Sequence, residues 1–136
     1  MLEVYSNNVI VVADEPIPLN NVALYKGTSA QLLGTSTIKF NKCGIYEVTV
    51  SYSATATTSG DINLQLRKDG ILQPQAISTI TAADATSIHS SSFTTLVQVP
   101  SNNMPNCPCS TPSRIEIVNT GIGATYNNID VTVVRI

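Results

Sequence analysis

Alternation of apolar and polar residues with a period of two is the feature that most limits how this chain can fold. Between residues 44 and 54, every second residue is apolar or tyrosine, and the residues between them are mostly polar. The same pattern recurs at 61–68, 93–99 and 129–133. Because successive side chains of a strand point to opposite faces, each segment predicts a strand with one buried face. No window of a dozen residues has apolar residues at helical spacing, so the sequence predicts an all-β protein.

Turn residues divide the chain into short strands. The segment 68–71 is the strongest hairpin signal, because its Asp-Gly pair adopts the positive φ angles that a tight two-residue turn needs. Pro16 and Pro18 interrupt the first strand, and 102–112 is the one long irregular stretch. This spacing predicts seven to ten strands in a sandwich or jelly roll. A length of 136 residues fits one domain that covers the whole chain.

The composition predicts a neutral surface rich in hydroxyls and amides. Charged residues make up only 12% of the chain, whereas serine, threonine and asparagine together make up 42 of 136 residues. The net charge is −2 and the basic residues are scattered, which argues against a nucleic acid partner. The longest apolar run, 9–13, is too short to cross a bilayer. The first three residues lack the basic start of a secretory signal, so we expect synthesis in the cytoplasm without a signal peptide.

The titratable residues give no basis for catalysis. His89 is the only histidine, with Asp84 nearby in sequence, but no Gly-x-Ser-x-Gly nucleophile motif accompanies them. Carboxylates are few and have no Asp-x-Asp spacing of the kind that binds calcium. We therefore expect a protein that is not an enzyme and has no cofactor.

The three cysteines predict free thiols, because an odd number cannot form a closed set of disulfides within one chain. Cys107 and Cys109 are too close together for the usual zinc spacing, and no histidine follows them, so we expect no metal. In a trimer, three copies of this loop could meet near the axis. An interchain disulfide or a shared metal is therefore kept as an alternative.

Tyrosines and the last strand indicate where subunits could meet. Tyr46 and Tyr52 alternate within a strand and belong to the core, although a sugar-stacking platform of tyrosines is the alternative. The final segment, 128–136, is apolar on both faces. It either lies centrally in a sheet that is packed on both sides or meets another subunit. The candidate interface residues are Tyr5, Tyr25, Tyr126, Val134 and Ile136.

One strand and its approach resemble a known family. The pattern Ile38-Lys39-Phe40 followed by Gly44-x-Tyr46-x-Val48-x-Val50 is similar to the most recognisable strand of the complement globular-head and tumour-necrosis-factor-like jelly rolls. The bacterial branch, including tip domains of collagen-like exosporium glycoproteins, is closer. It shares the Pro-x-Pro-Leu-Asn segment at 16–20, the hairpin at 62–70 and the final strand. Small phage structural proteins also look like this, some with a Cys-Pro-Cys loop like the one at 107–109.

The resemblance covers about residues 8–136 and implies an antiparallel jelly roll of about ten strands that forms a homotrimer. It implies a structural or binding module, first of all a phage virion protein that serves as a head decoration or short fibre component. Its partners would then be its own copies and capsid or other virion proteins. A spore-surface (exosporium) structural protein is one alternative. A carbohydrate-binding adhesin that recognises a host-surface glycan is the other.

The recognition surface is expected in loops, because a sandwich gathers its loops at its two ends. The proline-stiffened stretch 102–112 is the first choice, with Asn103, Cys107 and Cys109 as candidate recognition or interchain contacts. The segment 82–86 is the second choice.

Overall fold

The computed structural model describes residues 1–27, 29–100 and 113–136. These residues form eleven strands and no helix, so the all-β prediction is confirmed. The strands are β1 Leu2–Val11, β2 Glu15–Pro16, β3 Asn21–Tyr25, β4 Ala30–Leu33, β5 Thr37–Phe40, β6 Gly44–Ala56, β7 Gly60–Lys68, β8 Ile71–Ala82, β9 His89–Val99, β10 Arg114–Asn119 and β11 Ala124–Arg135.

Two sheets face each other in a jelly-roll sandwich. The five-stranded sheet has the order β3-β1-β11-β6-β9, and the six-stranded sheet has the order β4-β5-β10-β7-β8 with β2 also paired to β10. Every strand pair is antiparallel, and neighbours in space are mostly distant in sequence. No helix among the described residues is long and apolar enough to cross a membrane.

The core lies between the sheets and is built by the alternation seen in the sequence. In β6, all the even-numbered residues from Tyr46 to Ala56 are buried. Strand register aligns these residues with inward residues of the neighbouring strands, as in the row Val4–Val131–Val50. At one end of the core the rings of Phe40 and Tyr46 lie 4.4 Å apart. The predicted assignment of Tyr46 and Tyr52 to the core is therefore correct.

The Pro-x-Pro segment near the N-terminus packs into this core instead of forming a regular long strand. Ile17 and Leu19 are fully buried there. The buried Ser6 hydroxyl holds the segment in place, since it donates to the Pro18 carbonyl at 2.6 Å and accepts from the Asn20 N–H at 2.8 Å. Two prolines thus remove backbone donors where the chain leaves one sheet for the other.

The predicted hairpin connects β7 and β8. Lys68 pairs with Ile71, and Asp69 and Gly70 have φ angles of 51° and 84°. Asp69 also joins the turn to β10, because its carboxylate accepts from the Arg114 N–H at 2.9 Å. Asp69 therefore serves both the turn conformation and the contact with a neighbouring strand.

The final strand, β11, is central in its sheet, between β1 and β6. Its inward residues, which include Ile129, Val131 and Val133, are buried in the core. No other strand of the described residues packs on its other face, and Val134 on that face is only half-buried. Of the two expectations for this strand, the central position is correct, and the outward face remains available for a partner.

Leu64→Ala should lower the free energy of unfolding by about 2–4 kcal/mol, because truncation of a fully buried side chain loses transfer energy and leaves a cavity. Leu33→Ala is the matched control, since Leu33 is 38% exposed, and it should cost less than about 1 kcal/mol. Urea unfolding followed by circular dichroism measures both values. Equal losses would mean that Leu64 does not lie in the core.

Candidate interaction site

The outward face of the five-stranded sheet is rich in hydroxyls and amides, and its charged groups are the carboxylates of Glu3, Glu47 and Asp130. Its residues form rows across the strands, of which Thr132–Thr49–Thr94 is one. Neighbouring rows continue the pattern with serines and asparagines. The side chains bond to one another across the strands: the hydroxyls of Thr49 and Thr94 lie 3.2 Å apart, and those of Ser53 and Ser90 lie 2.9 Å apart. This is the hydroxyl-rich surface that the composition predicted.

One end of this face is apolar. Val134 pairs with Glu47, which in turn pairs with Leu96, and the Ile136 N–H donates to the Ile45 carbonyl at 2.8 Å. The exposed fractions are 45% for Ile45, 59% for Leu96 and 72% for Ile136. We call these three residues together with Val134 the apolar end. Several exposed aliphatic side chains side by side are a surface that favours burial by another protein.

A second apolar surface lies at the opposite edge of the same sheet. Strand β3 is exposed along its whole length, and Val22, Leu24 and Tyr25 are 51%, 41% and 52% exposed. We call this strand the β3 edge. Two hydrogen bonds hold the N-terminal residue beside this strand. The Met1 ammonium donates to the Lys26 carbonyl at 2.7 Å, and the Lys26 N–H donates to the Met1 carbonyl at 2.9 Å.

Four of the five predicted interface residues lie on this sheet and reach its surface. Tyr5 is half-buried on the outward face, Tyr25 lies on the β3 edge, and Val134 and Ile136 belong to the apolar end. Whether another subunit covers them stays a proposal.

The fifth predicted interface residue, Tyr126, does not reach the surface, and the prediction for it is wrong. It is fully buried inside the subunit, where its ring lies 6.0 Å from the ring of Tyr52. Its register partner on β6 is Ala54, a small residue that leaves room for a phenol in the core. Tyr126 is therefore part of the core and is not available to a neighbouring subunit.

Ile45 and Leu96 are interface candidates that the sequence analysis missed. Both are apolar residues on the outward parity of a strand whose inward residues are also apolar. That departure from alternation was visible in the sequence and could have identified them.

A carboxylate pair is the one acidic feature of the outward face near its centre. A hydrogen bond to Asp130, and secondarily the charge of Asp130, raises the pKa of Glu3 above its ordinary value. Asp130 also accepts a hydrogen bond from the Thr132 hydroxyl at 3.2 Å. The raised pKa of Glu3 follows from the placement of a second carboxylate beside it.

Asp84 and His89 serve local structure. The Asp84 carboxylate accepts from the N–H groups of Thr86 and Ser87 at 3.0 and 2.8 Å, and these bonds lower the pKa of Asp84 to about 2. Asp84 thus closes its own turn, in the segment 82–86 that was the second choice for a recognition loop. The Nε2 atom of His89 is buried without a hydrogen-bond partner in the described structure.

Cys43 corrects the prediction of free thiols, because it is half of a disulfide. The other two cysteines, Cys107 and Cys109, and the candidate contact Asn103 lie outside the described residues, as does the predicted recognition loop 102–112. Those assignments therefore stay predictions. Among the residues that the structure describes, no group of three or more His, Cys, Asp or Glu side chains could hold a metal ion.

Comparison with known proteins identifies the fold. No protein-family model matches the sequence, and no curated protein matches it either. Solved structures do match over nearly the full chain. The PRD1 vertex protein P5 has a TM-score of 0.61 at 14% identity, and the match covers 99% of this chain and 95% of the P5 chain. The Eiger TNF of S. frugiperda has a TM-score of 0.62 at 10% identity and covers 99% and 92%.

Rabbit GITRL is a third such structure, with a TM-score of 0.55 at 14% identity and coverage of 100% and 94%. At these identities the likeness shows the fold alone. The protein has the tumour-necrosis-factor-like jelly-roll fold, as the strand pattern around Gly44–Val50 implied.

Tyr126→Phe should leave stability at neutral pH unchanged or raise it by up to about 1 kcal/mol, because the removed hydroxyl is buried without a hydrogen-bond partner. Tyr52→Phe is the matched control. It breaks the bond of 2.8 Å to the Ser78 hydroxyl and should cost about 0.5–1.5 kcal/mol. Thermal unfolding of both variants at pH 7 measures the difference.

The burial of Tyr126 should also make the stability of the protein depend on pH in the alkaline range. Burial, with a smaller contribution from Tyr52, raises the pKa of Tyr126 above its ordinary value of 10.0. A raised folded-state pKa means that the stabilisation is complete below the unfolded-state pKa and is lost as the pH rises above it. The wild type should therefore lose more stability than Tyr126→Phe above a pH of about 10. Parallel losses would contradict the burial of this phenol.

Proposed function

We propose that the protein is a non-enzymatic structural module of a phage virion, a head decoration or short fibre component, and that it acts as a homotrimer. The observation that carries the proposal is the presence of two different apolar surfaces, the apolar end and the β3 edge, on one sheet. Both would be buried if copies of the chain packed side by side.

The chemistry of the sheet supports self-association. Protein interfaces have few charged residues at their centre and are enriched in aromatic side chains, as in the case of Tyr5 and Tyr25 here. Because the two apolar surfaces differ from each other, contact between them would be heterologous. A heterologous contact forms a closed ring when the rotation between subunits closes. The tumour-necrosis-factor-like fold supports three as the number of subunits.

The phage assignment is supported by the structural likeness to a protein named as a vertex protein of PRD1, which extends over almost the whole of both chains. It also agrees with the resemblance to small phage structural proteins. Capsid or other virion proteins are the proposed partners, and the virion is the proposed final location after synthesis in the cytoplasm. A spore-surface protein is the alternative that the experiments below separate from it.

The intact protein should elute as a species of about three times 14.4 kDa in gel filtration with light scattering at micromolar concentration. Val134→Asp should shift it toward the monomer, because the new carboxylate would be buried beside the like charge of Glu47, its register partner. Ile71→Asp is the matched control, since Ile71 is 67% exposed on the six-stranded sheet, and it should stay trimeric. A monomeric wild type, or equal effects of both substitutions, would contradict the proposed interface.

Antibodies to the protein should label purified phage particles at regular positions, because a decoration or fibre component repeats with the symmetry of its particle. The neighbouring genes should encode portal and capsid proteins. Labelling of the spore surface together with sporulation genes as neighbours would establish the alternative. Particles that lack the protein would overturn the virion role.

A further inference from the structure

A groove of about 370 Å³ lies between the free edges of the two sheets, along β8 of one sheet and β9 of the other. Both strands are the last of their sheets. They meet where the hydroxyls of Ser78 and Ser91 lie 2.9 Å apart, and the groove lies farther along the two strands, at Gln75 and Gln98. The volume falls in the range of about 300–1,000 Å³ that is usual for small-molecule sites.

A bulge in β8 shapes one wall of the groove. Gln65 pairs with Ile77 and Arg67 pairs with Leu72, so the residues 73–76 of β8 stand opposite Leu66 alone. This insertion moves the β8 edge away from its sheet and places Gln73 and Gln75 at the groove. The bulge is held in shape by side chains, since the Gln65 amide donates to the Gln73 carbonyl and the Gln73 amide donates to the Ile71 carbonyl, both at 3.0 Å.

The groove has an apolar floor and polar walls. Leu66 and Val97 are buried at its base, with the nearly buried Thr95 beside them. Gln75 and Lys68 line the β8 side, and Gln98 lines the β9 side. The exposed apolar lining consists of Leu96 and Pro100 on the β9 side. This apolar surface and the amide groups beside it suit a ligand with one apolar face and a rim of hydroxyls.

Two of the three bonding groups at the walls are available, whereas the Gln75 amide donates to the Gln73 side-chain oxygen at 3.4 Å. Neither the Lys68 ammonium nor the Gln98 side-chain amide has a hydrogen bond or ion pair to any residue that the structure describes. The neighbouring Arg67 is different, because its guanidinium bonds to Glu116 at 2.8 Å. No carboxylate of the described residues lines the groove, so the uncompensated charge among its lining residues is positive.

We propose that this groove binds an acidic sugar, that is, a sugar residue that carries a carboxylate. The carboxylate would lie at Lys68, the ring hydroxyls would bond to the Gln75 and Gln98 amides, and the apolar ring face would rest on the exposed Pro100. A single cation fits one carboxylate and does not provide the series of charges that a nucleic acid backbone requires. The polar walls disfavour a purely apolar ligand, whose burial would leave the amides unpaired.

This binding site goes beyond the structural role proposed above and lies beside the proposed subunit interface, since Leu96 of the apolar end also lines the groove. If the protein is a homotrimer, three such grooves would bind a repeating glycan surface with avidity, even where each site alone is weak.

Titration of the intact, isotopically labelled protein with sialyllactose and with digalacturonate, followed by backbone amide NMR shifts, tests the site. Neutral lactose is the reference ligand. We expect shifts at Gln75, Thr95 and Gln98 with at least one acidic sugar at up to about 10 mM, and affinity for lactose at least about fivefold lower. The two acidic sugars distinguish a sialate from a uronate as the source of the carboxylate.

Two variants assign the contacts. Lys68→Gln should lower the affinity for the acidic sugar about tenfold. Gln75→Ala should lower the affinity for both the acidic sugar and lactose. Lys26→Gln is the matched control, because Lys26 is an exposed lysine beside the β3 edge, and it should bind like the wild type.

Several outcomes would overturn the groove site. They are the absence of shifts with all three sugars, equal affinity for lactose and the acidic sugars, and binding that Lys68→Gln leaves unchanged. A trimer that is present in virions and binds none of the sugars would overturn this site alone. A protein that binds the acidic sugar through Lys68 and is missing from virions would overturn the virion role alone.

Discussion

The packing of the apolar faces of the two sheets against each other is the interaction on which every other feature depends. The register of β1, β11, β6 and β9 places their apolar residues in one layer, as the row Val4–Val131–Val50 illustrates. A slip of one residue in any of these strands would exchange its buried and exposed faces. The hydroxyl rows, the apolar end and the β3 edge all occupy the surface that this register leaves outside. The proposed interface is therefore as well defined as the core.

Much of the fold could be predicted because period-two alternation is a local property. It identified β6, β7 and β9, and the Asp-Gly pair located the hairpin. Tyr126 was assigned to the interface for its amphipathic ring, and strand alternation would have misplaced it as well, because its strand contains an irregularity. The pairing of β11 with β6 shifts register between Tyr126 and Asn128, so residues on opposite sides of this point have opposite parity. Counted back from the inward Ile129, Tyr126 would face outward, and the shift turns it into the core.

One of the two candidate sites could have been predicted from the sequence, and the other could not. The apolar end depends on strand parity, so Ile45 and Leu96 could have been found in the sequence. The groove depends on how far the β8 edge stands from the β9 edge, which is a property of two strands in different sheets. The Gln73–Ala76 bulge that sets this separation has no signature in hydrophobic pattern. The disulfide of Cys43 likewise depends on the tertiary structure, and the odd number of cysteines had predicted free thiols instead.

The bulge has one more consequence, for solubility. A sheet that ends in a long free strand offers its unpaired backbone groups to any other extended chain, and this is a route to aggregation. In β8, Pro74 stands inside the bulge, where it lacks the N–H that an added strand would need. The distorted, proline-containing edge therefore resists extension of the six-stranded sheet. A protein proposed to assemble through one face of one sheet is in this way protected from polymerising through the edge of the other.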